Sequence, residues 1–234
     1  MNHEGAVVPE ELEVLQACLG THVQSLVELG CGRARLARQW VAQAPGRSYL
    51  GLDLDERAMA RNAQEPVQGM RFELACATQV PADADSFDAA MMLKSLHHVP
   101  VAQMDQALQE VWRVLKPGGL LYVSEPVYAG ALNEIVRLYN DEGVVRAAAQ
   151  AALDRLPRQG KWREGEAVRF TQPVHFADFA AFKTRMLQPT FMDLDIDESL
   201  MGRIARAFAP HCDDDGADFT RPMLVRVFEK RQET

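Results

Sequence analysis

An alternation of short apolar runs with longer amphipathic segments is the feature that most constrains the fold of this chain. Over the first 125 residues, each run has the length of a buried strand, and the segments between runs repeat apolar residues at helical spacing. Parallel strands need a crossover of a dozen or more residues, which a helix usually supplies. The pattern therefore predicts an α/β fold in which helices cover both faces of a mostly parallel, doubly wound sheet.

Local signals give the boundaries of these elements. Asp55 is placed to cap the second helix, and a lysine, a proline and two glycines at 116–119 end the third. The predicted strands are 25–29, 48–52, 70–74, 87–93 and 120–124. The predicted helices are 33–43, from Asp55 to about residue 63, and from about 104 to 115.

The rhythm changes after Pro126. Residues 129–156 are rich in alanine and leucine and predict a helical insertion or cap, which a long polar loop at 158–176 follows. The remaining predictions are helices at about 176–187 and 196–209, a strand around 190–195 and a last strand at 222–230. We interpret the chain as one domain, 1–234, with a core at 22–126, a cap at about 127–176 and final elements at 177–230.

Composition narrows the classes of function. Hydrophobic residues make up 47% and charged residues 25% of the 234 residues, as is typical of a globular protein. The net charge of -8 would repel phosphate backbones, so nucleic acid is not an expected partner. No signal peptide or membrane span is predicted, and the cysteines stand too far apart for a zinc or redox motif. These features predict a cytoplasmic protein with reduced thiols.

The segment SLVELGCGRARLAR joins the first predicted strand to its helix. In a doubly wound sheet this turn lies at the carboxyl ends of the strands, where ligands bind. A dinucleotide-binding turn has the form Gly-x-Gly-x-x-Gly, and Arg35 stands at its third glycine position. The residues instead fit Glu-x-Gly-x-Gly-x-Ala, from Glu28 to Ala34. Its two glycines, Gly30 and Gly32, let the backbone approach a ligand closely.

Asp53 is the second candidate binding residue. It ends the segment YLGLD and lies 23 residues after Gly30. A carboxylate about 20 residues beyond the glycine turn is placed to bind ribose, because it accepts hydrogen bonds from both ribose hydroxyls. The alternative is a solvated residue at the end of a strand.

Two later segments complete the pattern. DSFDAAMMLKSLHHV and LQEVWRVLKPGGLLYVSEP follow the glycine turn and Asp53 in order. Together these motifs cover residues 25–126 and resemble the class I, Rossmann-like S-adenosylmethionine-dependent methyltransferases of the small-molecule type, the methyltransferase type 11 group. The resemblance implies a seven-stranded sheet, S-adenosylmethionine as cofactor with S-adenosylhomocysteine as product, and a small-molecule methyl acceptor.

The resemblance also implies a set of cofactor-binding residues. Many relatives have an aspartate after the third strand that receives the adenine amino group, whereas Cys76 stands here, and a thiol is a poor acceptor. We therefore expect the backbone amide of Ala77 to contact adenine instead. Glu28 has an alternative role in bracing the turn through backbone amides. The set is Glu28, Gly30, Gly32, Asp53, Cys76 and Ala77.

His98 is the candidate catalytic residue. It follows the fourth predicted strand at the rim of the expected site, where a base can reach a hydroxyl or ammonium acceptor, although a structural hydrogen bond is the alternative. Changes at Tyr139 or Trp162 are expected to alter acceptor affinity, and Trp162, Phe170 and Phe176 either line the cap or pack in the core. No metal site is expected, because the aspartates at 213–215 are interpreted as a solvated loop.

Three other functions stay open at this stage. A nicotinamide-dependent oxidoreductase can use a similar fold, although Arg35 argues against it. A non-catalytic binding or regulatory protein is compatible with Cys76. The third alternative is an enzyme that uses S-adenosylmethionine or a derivative for a different transfer. The ligand that the protein retains through purification would distinguish these alternatives.

Overall fold

The computed structural model describes residues 6–188 and 194–232, and one sheet forms the centre of the protein. Within these residues the main path of the sheet has seven strands in the order β3-β2-β1-β4-β5-β9-β6, and β7 and β8 also pair with β9. The strands are β1 (Ser25–Leu29), β2 (Ser48–Asp53), β3 (Met70–Leu74), β4 (Phe87–Leu93), β5 (Leu115–Pro126), β6 (Trp162–Glu164), β7 (Val168–Phe176), β8 (Cys212–Asp213) and β9 (Gly216–Lys230). The Rossmann-like, seven-stranded expectation is confirmed along this path.

Helices cover both faces of the sheet, as predicted. One face packs Leu15 of α1 and Trp40 of α2, and the other packs Leu108 of α4 and Leu153 of α6. Within the described residues, no helix combines the length and the hydrophobicity needed to span a membrane. The helices are α1 (Leu12–Leu19), α2 (Arg35–Ala42), α3 (Glu56–Gln64), α4 (Met104–Val114), α5 (Ala131–Val136), α6 (Gly143–Arg155), α7 (Phe179–Phe182) and α8 (Glu198–Phe208).

The first five strands are parallel because a helix or loop crossover returns the chain to the same edge each time. The last long strand, β9, runs antiparallel to β5. The carboxyl ends of β1, β2 and β4 therefore meet at one edge of the sheet. The cap Asp55 is confirmed, since its side chain accepts hydrogen bonds from the amides of Arg57 and Ala58 at the start of α3.

The second half of the chain differs most from the prediction. The prediction of a polar loop at 158–176 is wrong, because this segment forms β6 and β7, which both pair with β9 on the side opposite β5. The helix α1 was not predicted, and β5 begins at Leu115, where the third helix ends. The predicted strand at 190–195 lies mainly outside the described residues. Helices near 179–187 and at 198–208 agree with the prediction.

Three of the aromatic residues expected at the cap belong to the core. Trp162 is 1% exposed and packs edge-on against Phe228, and Phe170 and Phe176 are 2% exposed. Phe176 is also part of a third cluster, formed by β7, β9 and the helices α5, α7 and α8. The expectation that Trp162 contacts the acceptor is therefore wrong, and its alternative role in the core is confirmed, because Trp162 is buried and lines neither cavity described below.

Glu28 is a buried carboxyl group within the sheet. Its side chain is 2% exposed and accepts a hydrogen bond from the Tyr49 hydroxyl on the neighbouring strand. Burial disfavours the charged form and raises the pKa of Glu28 from its ordinary value of 4.5 to about 8. Between about pH 5 and about pH 8, the Glu28 carboxyl group is therefore protonated in the folded protein and ionised in the unfolded chain.

This proton predicts a pH dependence of stability. Because the folded pKa lies above the unfolded pKa, the contribution of Glu28 to the free energy of unfolding falls as the pH rises from about 5 to about 8. We expect Glu28→Gln, which mimics the protonated acid, to flatten this fall and to stabilise the protein by on the order of 2 to 4 kcal/mol at about pH 8. Urea unfolding at several pH values measures the effect. Glu56→Gln, an exposed control, should match the parent, and parallel curves for Glu28→Gln and the parent would contradict the prediction.

Candidate functional site

The turn after β1 is shaped by its two glycines. Gly30 has a φ of 79°, and a Cβ there would lie 2.5 Å from the Cβ of Ser95. Gly32 has a φ of 48°, and a Cβ there would meet no atom within 4 Å. Gly30 is thus required by the packing of the protein itself. Gly32 faces open space, where its missing side chain leaves room for a ligand.

Asp53 holds this turn against the end of β2. One carboxylate oxygen accepts the Gly32 amide at 2.7 Å, and the other accepts the Asp55 amide at 2.9 Å. Each oxygen keeps a second lone pair, so the carboxylate can still accept hydrogen bonds from a ligand. On the other side of the turn, the Asn62 side chain donates to the Gly32 carbonyl oxygen at 2.8 Å.

A cavity of about 910 Å³ lies over these strand ends. Of the predicted cofactor-binding residues, Glu28 alone does not line it, because its side chain lies below the turn against Tyr49. Its bond to a hydroxyl also differs from the bracing of backbone amides considered as the alternative. The predicted residues that line the cavity together are Gly30, Gly32, Asp53, Cys76, Ala77 and His98.

Several residues of this site could not be identified from their types alone. Leu54 lines the cavity with 68% of its surface exposed, and Val99 faces the same space. These two residues offer apolar surface to a planar ligand. The sequence signal that could have identified Leu54 is its position directly after Asp53, at the end of β2.

Cys76 lies just beyond the carboxyl end of β3, between Ala75 and Ala77. Its sulfur is 3.0 Å from the Thr78 hydroxyl, and either atom can be the donor. The thiol therefore has a neighbour within its own turn and supplies a small wall to the cavity rather than a charged acceptor.

A second cavity, of about 360 Å³, lies between the end of β5 and the helices of the cap. Tyr139 and Glu142 from the cap line it, together with Arg221 from β9. Lys94 and His98 line both cavities. The two spaces therefore meet at the segment that follows β4.

The paired histidines differ in their surroundings. His97 is buried and its Nδ1 pairs with the carboxylate of Glu125. His98 is exposed at the rim, and its ring centroid is 4.1 Å from that of His97. Partial desolvation, together with His97, lowers the pKa of His98 below its ordinary value of 6.5. The imidazole of His98 is therefore neutral at neutral pH and able to accept a proton.

His97, His98 and Glu142 also offer three atoms within 4.8 Å of one another that could hold a metal ion. This group was not expected from the sequence. The Glu142 carboxylate, however, forms an ion pair with Arg146 at 2.5 Å, which competes with any cation for the same oxygen.

A parallel sheet with a glycine turn and an acidic residue at neighbouring strand ends defines a Rossmann-like protein with a nucleoside-type site. Residues 27–123 match the model of a family described as a methyltransferase domain. Methyltransferase GfsG of Streptomyces halstedii is 32% identical over 115 residues, which are 47% of this chain and 40% of that protein.

Solved structures agree with this assignment of the fold. YcgJ from Bacillus subtilis has a TM-score of 0.64 at 18% identity, over 95% of this chain and 99% of that one. The N-methyltransferase NodS from Bradyrhizobium japonicum WM9, in complex with S-adenosylhomocysteine, has a TM-score of 0.54 at 16% identity, over 94% of this chain and 85% of that one.

Residues 27–123 of this chain thus resemble the methyltransferase domain family, and the fold is the Rossmann-like fold of the class I S-adenosylmethionine-dependent methyltransferases. The family resemblance found in the sequence is confirmed, and S-adenosylmethionine is the cofactor of this class. The chain spans less than half the length of the first curated relatives that it matches. Their acceptors therefore do not carry over to this chain.

The geometry of Asp53 predicts its effect on cofactor binding. Asp53→Ala should weaken S-adenosylmethionine binding by about tenfold to a hundredfold, because it removes charge-assisted hydrogen bonds and releases the Gly32 turn. Isothermal titration calorimetry measures the affinity. Asp88→Ala is the matched control, since Asp88 accepts the amides of Gln24 and Ser25 at the opposite end of the strands. Equal affinities for Asp53→Ala and Asp88→Ala would remove Asp53 from the site.

Proposed function

We propose that this protein transfers the methyl group of S-adenosylmethionine to a small-molecule acceptor. The observation that carries the proposal is the meeting of two cavities at Lys94 and His98. The larger cavity has the residues of a nucleoside site, and the smaller one opens beside it under the cap. A cofactor and an acceptor bound in these spaces would meet at one wall.

The larger cavity fits the chemistry of the cofactor part by part. The free lone pairs of Asp53 suit the ribose hydroxyls, and the exposed Leu54 suits the adenine ring. Arg33, which lines the cavity beside the glycine turn, offers a guanidinium group to the carboxylate of the methionine part. The open space above Gly32 leaves room for the main chain to approach the ligand.

The chain's own residues have three tasks in the transfer. S-adenosylmethionine supplies a methyl group that its sulfonium already activates. The cap and the strand ends hold the acceptor in line with the methyl–sulfur bond and exclude water, which accounts for much of the rate. The acceptor atom forms the new bond to carbon while the old bond's electron pair stays on sulfur. His98 takes the acceptor's proton where that atom is a hydroxyl or ammonium.

The size of the second cavity supports a small acceptor. Its volume of about 360 Å³ is at the lower end of the range for small-molecule sites. It is bounded by α5, α6 and β9, so a folded macromolecule could enter only with an extended segment. NodS, a relative in fold, is named as an N-methyltransferase, but oxygen, nitrogen, carbon and sulfur acceptors all suit a site of this kind.

The proposed base can be tested once a screen for cofactor-dependent mass gain of one methyl has given an acceptor. For a hydroxyl or ammonium acceptor, His98→Asn should lower the rate by about 10² to 10⁴. The neutral imidazole is the active form, so the rate of the parent should decrease as the pH is lowered, and only below the ordinary histidine pKa of 6.5. His98→Asn should lack this decrease. His175→Asn is a control outside both cavities. An unaltered rate and pH profile in His98→Asn would show that His98 is not the base.

A second test concerns the adenine pocket and separates a working enzyme from a binding protein without cofactor. Cys76→Asp places a charged acceptor beside Ala77, and we expect it to keep or improve S-adenosylmethionine affinity, by up to about tenfold to a hundredfold. Calorimetry and melting temperature measure affinity and stability. Undetectable binding in both proteins, with a lower melting temperature for Cys76→Asp, would contradict the methyltransferase proposal.

A further inference from the structure

The smaller cavity has an unusual excess of positive charge and of hydrogen-bond donors. Its basic side chains come from four separate segments of the chain, and Glu142 is the one carboxylate among its described lining residues. The basic residues are Lys94, Arg146, Arg185 and Arg221.

Two of these cations already have carboxylate partners. Lys94 lies 3.5 Å from the carboxylate of Glu11, and Arg146 lies 2.5 Å from that of Glu142. Arg185 and Arg221 form no ion pair with any described residue, although Arg185 lies over the ring of Phe176 at 5.3 Å. The cavity therefore carries two cations without a carboxylate partner in the part of the chain that the structure describes.

Arg221 is the less solvated of these two. It lies on β9 opposite Gln172 of β7 and is only partly exposed. Desolvation by burial, followed by the charges of Arg185 and Arg146, lowers the pKa of Arg221. Holding a desolvated guanidinium among like charges is unfavourable unless an anion offsets it.

Neutral donors in the same cavity also lack partners. The side-chain oxygen of Asn133 accepts a hydrogen bond from Arg146 at 3.1 Å, so the side-chain nitrogen points away from Arg146. That nitrogen is buried without a hydrogen-bond partner. The hydroxyl of Tyr139 is likewise buried and unpartnered. Burial raises the pKa of Tyr139 well above its ordinary value, so the hydroxyl stays protonated and can donate. Both residues line the cavity.

We propose that the methyl acceptor carries an anionic group, a carboxylate or a phosphate, that Arg221 binds with help from Asn133 and Tyr139. Unpartnered cations and unpartnered donors in one cavity are complementary to a ligand that is rich in acceptor oxygens. Arg185, which is exposed, lies at the mouth and draws the anion inward. This inference rests on the proposed function, because that function makes the bound anion a methyl acceptor. Anion binding at Arg221 is testable without methyl transfer.

The alternative occupant of this cavity is a metal ion on His97, His98 and Glu142. The ion pair between Arg146 and Glu142, and the further charges of Arg185 and Arg221, make the local potential unfavourable for a cation. The same charges favour an anion, so we argue the anionic ligand and treat the metal as an outcome of the test.

Three probes with one ring distinguish the possibilities: benzoate, phenyl phosphate and the neutral benzamide. Their affinities are measured by calorimetry at constant ionic strength, with and without saturating S-adenosylhomocysteine and with a chelator present. We expect at least one anion to bind the parent about tenfold to a hundredfold more tightly than benzamide. Preference for benzoate indicates a carboxylate, and preference for phenyl phosphate indicates a phosphate.

Variants assign the effect to Arg221. Arg221→Gln should lose about tenfold or more of the anion affinity and leave that of benzamide unchanged. Tyr139→Phe should lose a smaller part. Arg169→Gln is the matched control, because Arg169 is exposed on the neighbouring strand β7 and lines neither cavity. Without ligand, Arg221→Gln should melt at or above the parent temperature, since it removes an unpaired cation.

Specific results would overturn the inference. Benzamide binding as tight as that of the anions, no anion binding to the parent, or equal anion affinities in Arg221→Gln and Arg169→Gln would each do so. Anion binding that appears only after added zinc replaces the chelator would assign recognition to the metal group instead. A parent protein that binds the anions but not S-adenosylhomocysteine would refute the proposed function and leave the anion site intact.

Discussion

The hydrogen bond between the Asp53 carboxylate and the Gly32 amide is the contact on which the candidate site depends. It joins the ends of β1 and β2, and it holds a glycine turn in a conformation that exposes main chain to the larger cavity. The Asn62 side chain holds the other side of the same peptide group. The turn is therefore held by side chains from two elements before any ligand arrives, which reduces the entropy lost when a cofactor binds.

The two halves of the chain form different parts of the candidate site. The parallel half, up to β5, supplies one continuous edge of strand ends, and this edge forms the larger cavity. The later half has its own aromatic cluster around Phe176 and Phe208, which packs α8 and α7 against β7 and β9. This second core packs β7 and β9 together with the helices beside the smaller cavity, and Arg221 of β9 lines that cavity.

The parallel half was predictable because each element there carries its own local signal. β1, β3 and β4 have the predicted bounds, because each is a short, mainly apolar or alternating run that differs clearly from the helical segments beside it. β7 was missed for the opposite reason. Its polar residues and Pro173 resemble a loop, and its strand conformation depends on pairing with β9, far away in sequence. The grouping of the arginines was equally hidden, because Arg146 and Arg221 meet only through the tertiary fold.

The placement of Arg221 on β9 has an evolutionary consequence. β9 pairs with four other strands, so its backbone is among the parts of the protein least free to move. Most other walls of the smaller cavity come from short helices and turns of the cap. Substitutions in those helices can reshape the pocket while the guanidinium keeps its place. We therefore expect descendants of this protein to diverge in the carbon skeleton of the molecule they recognise sooner than in its charge.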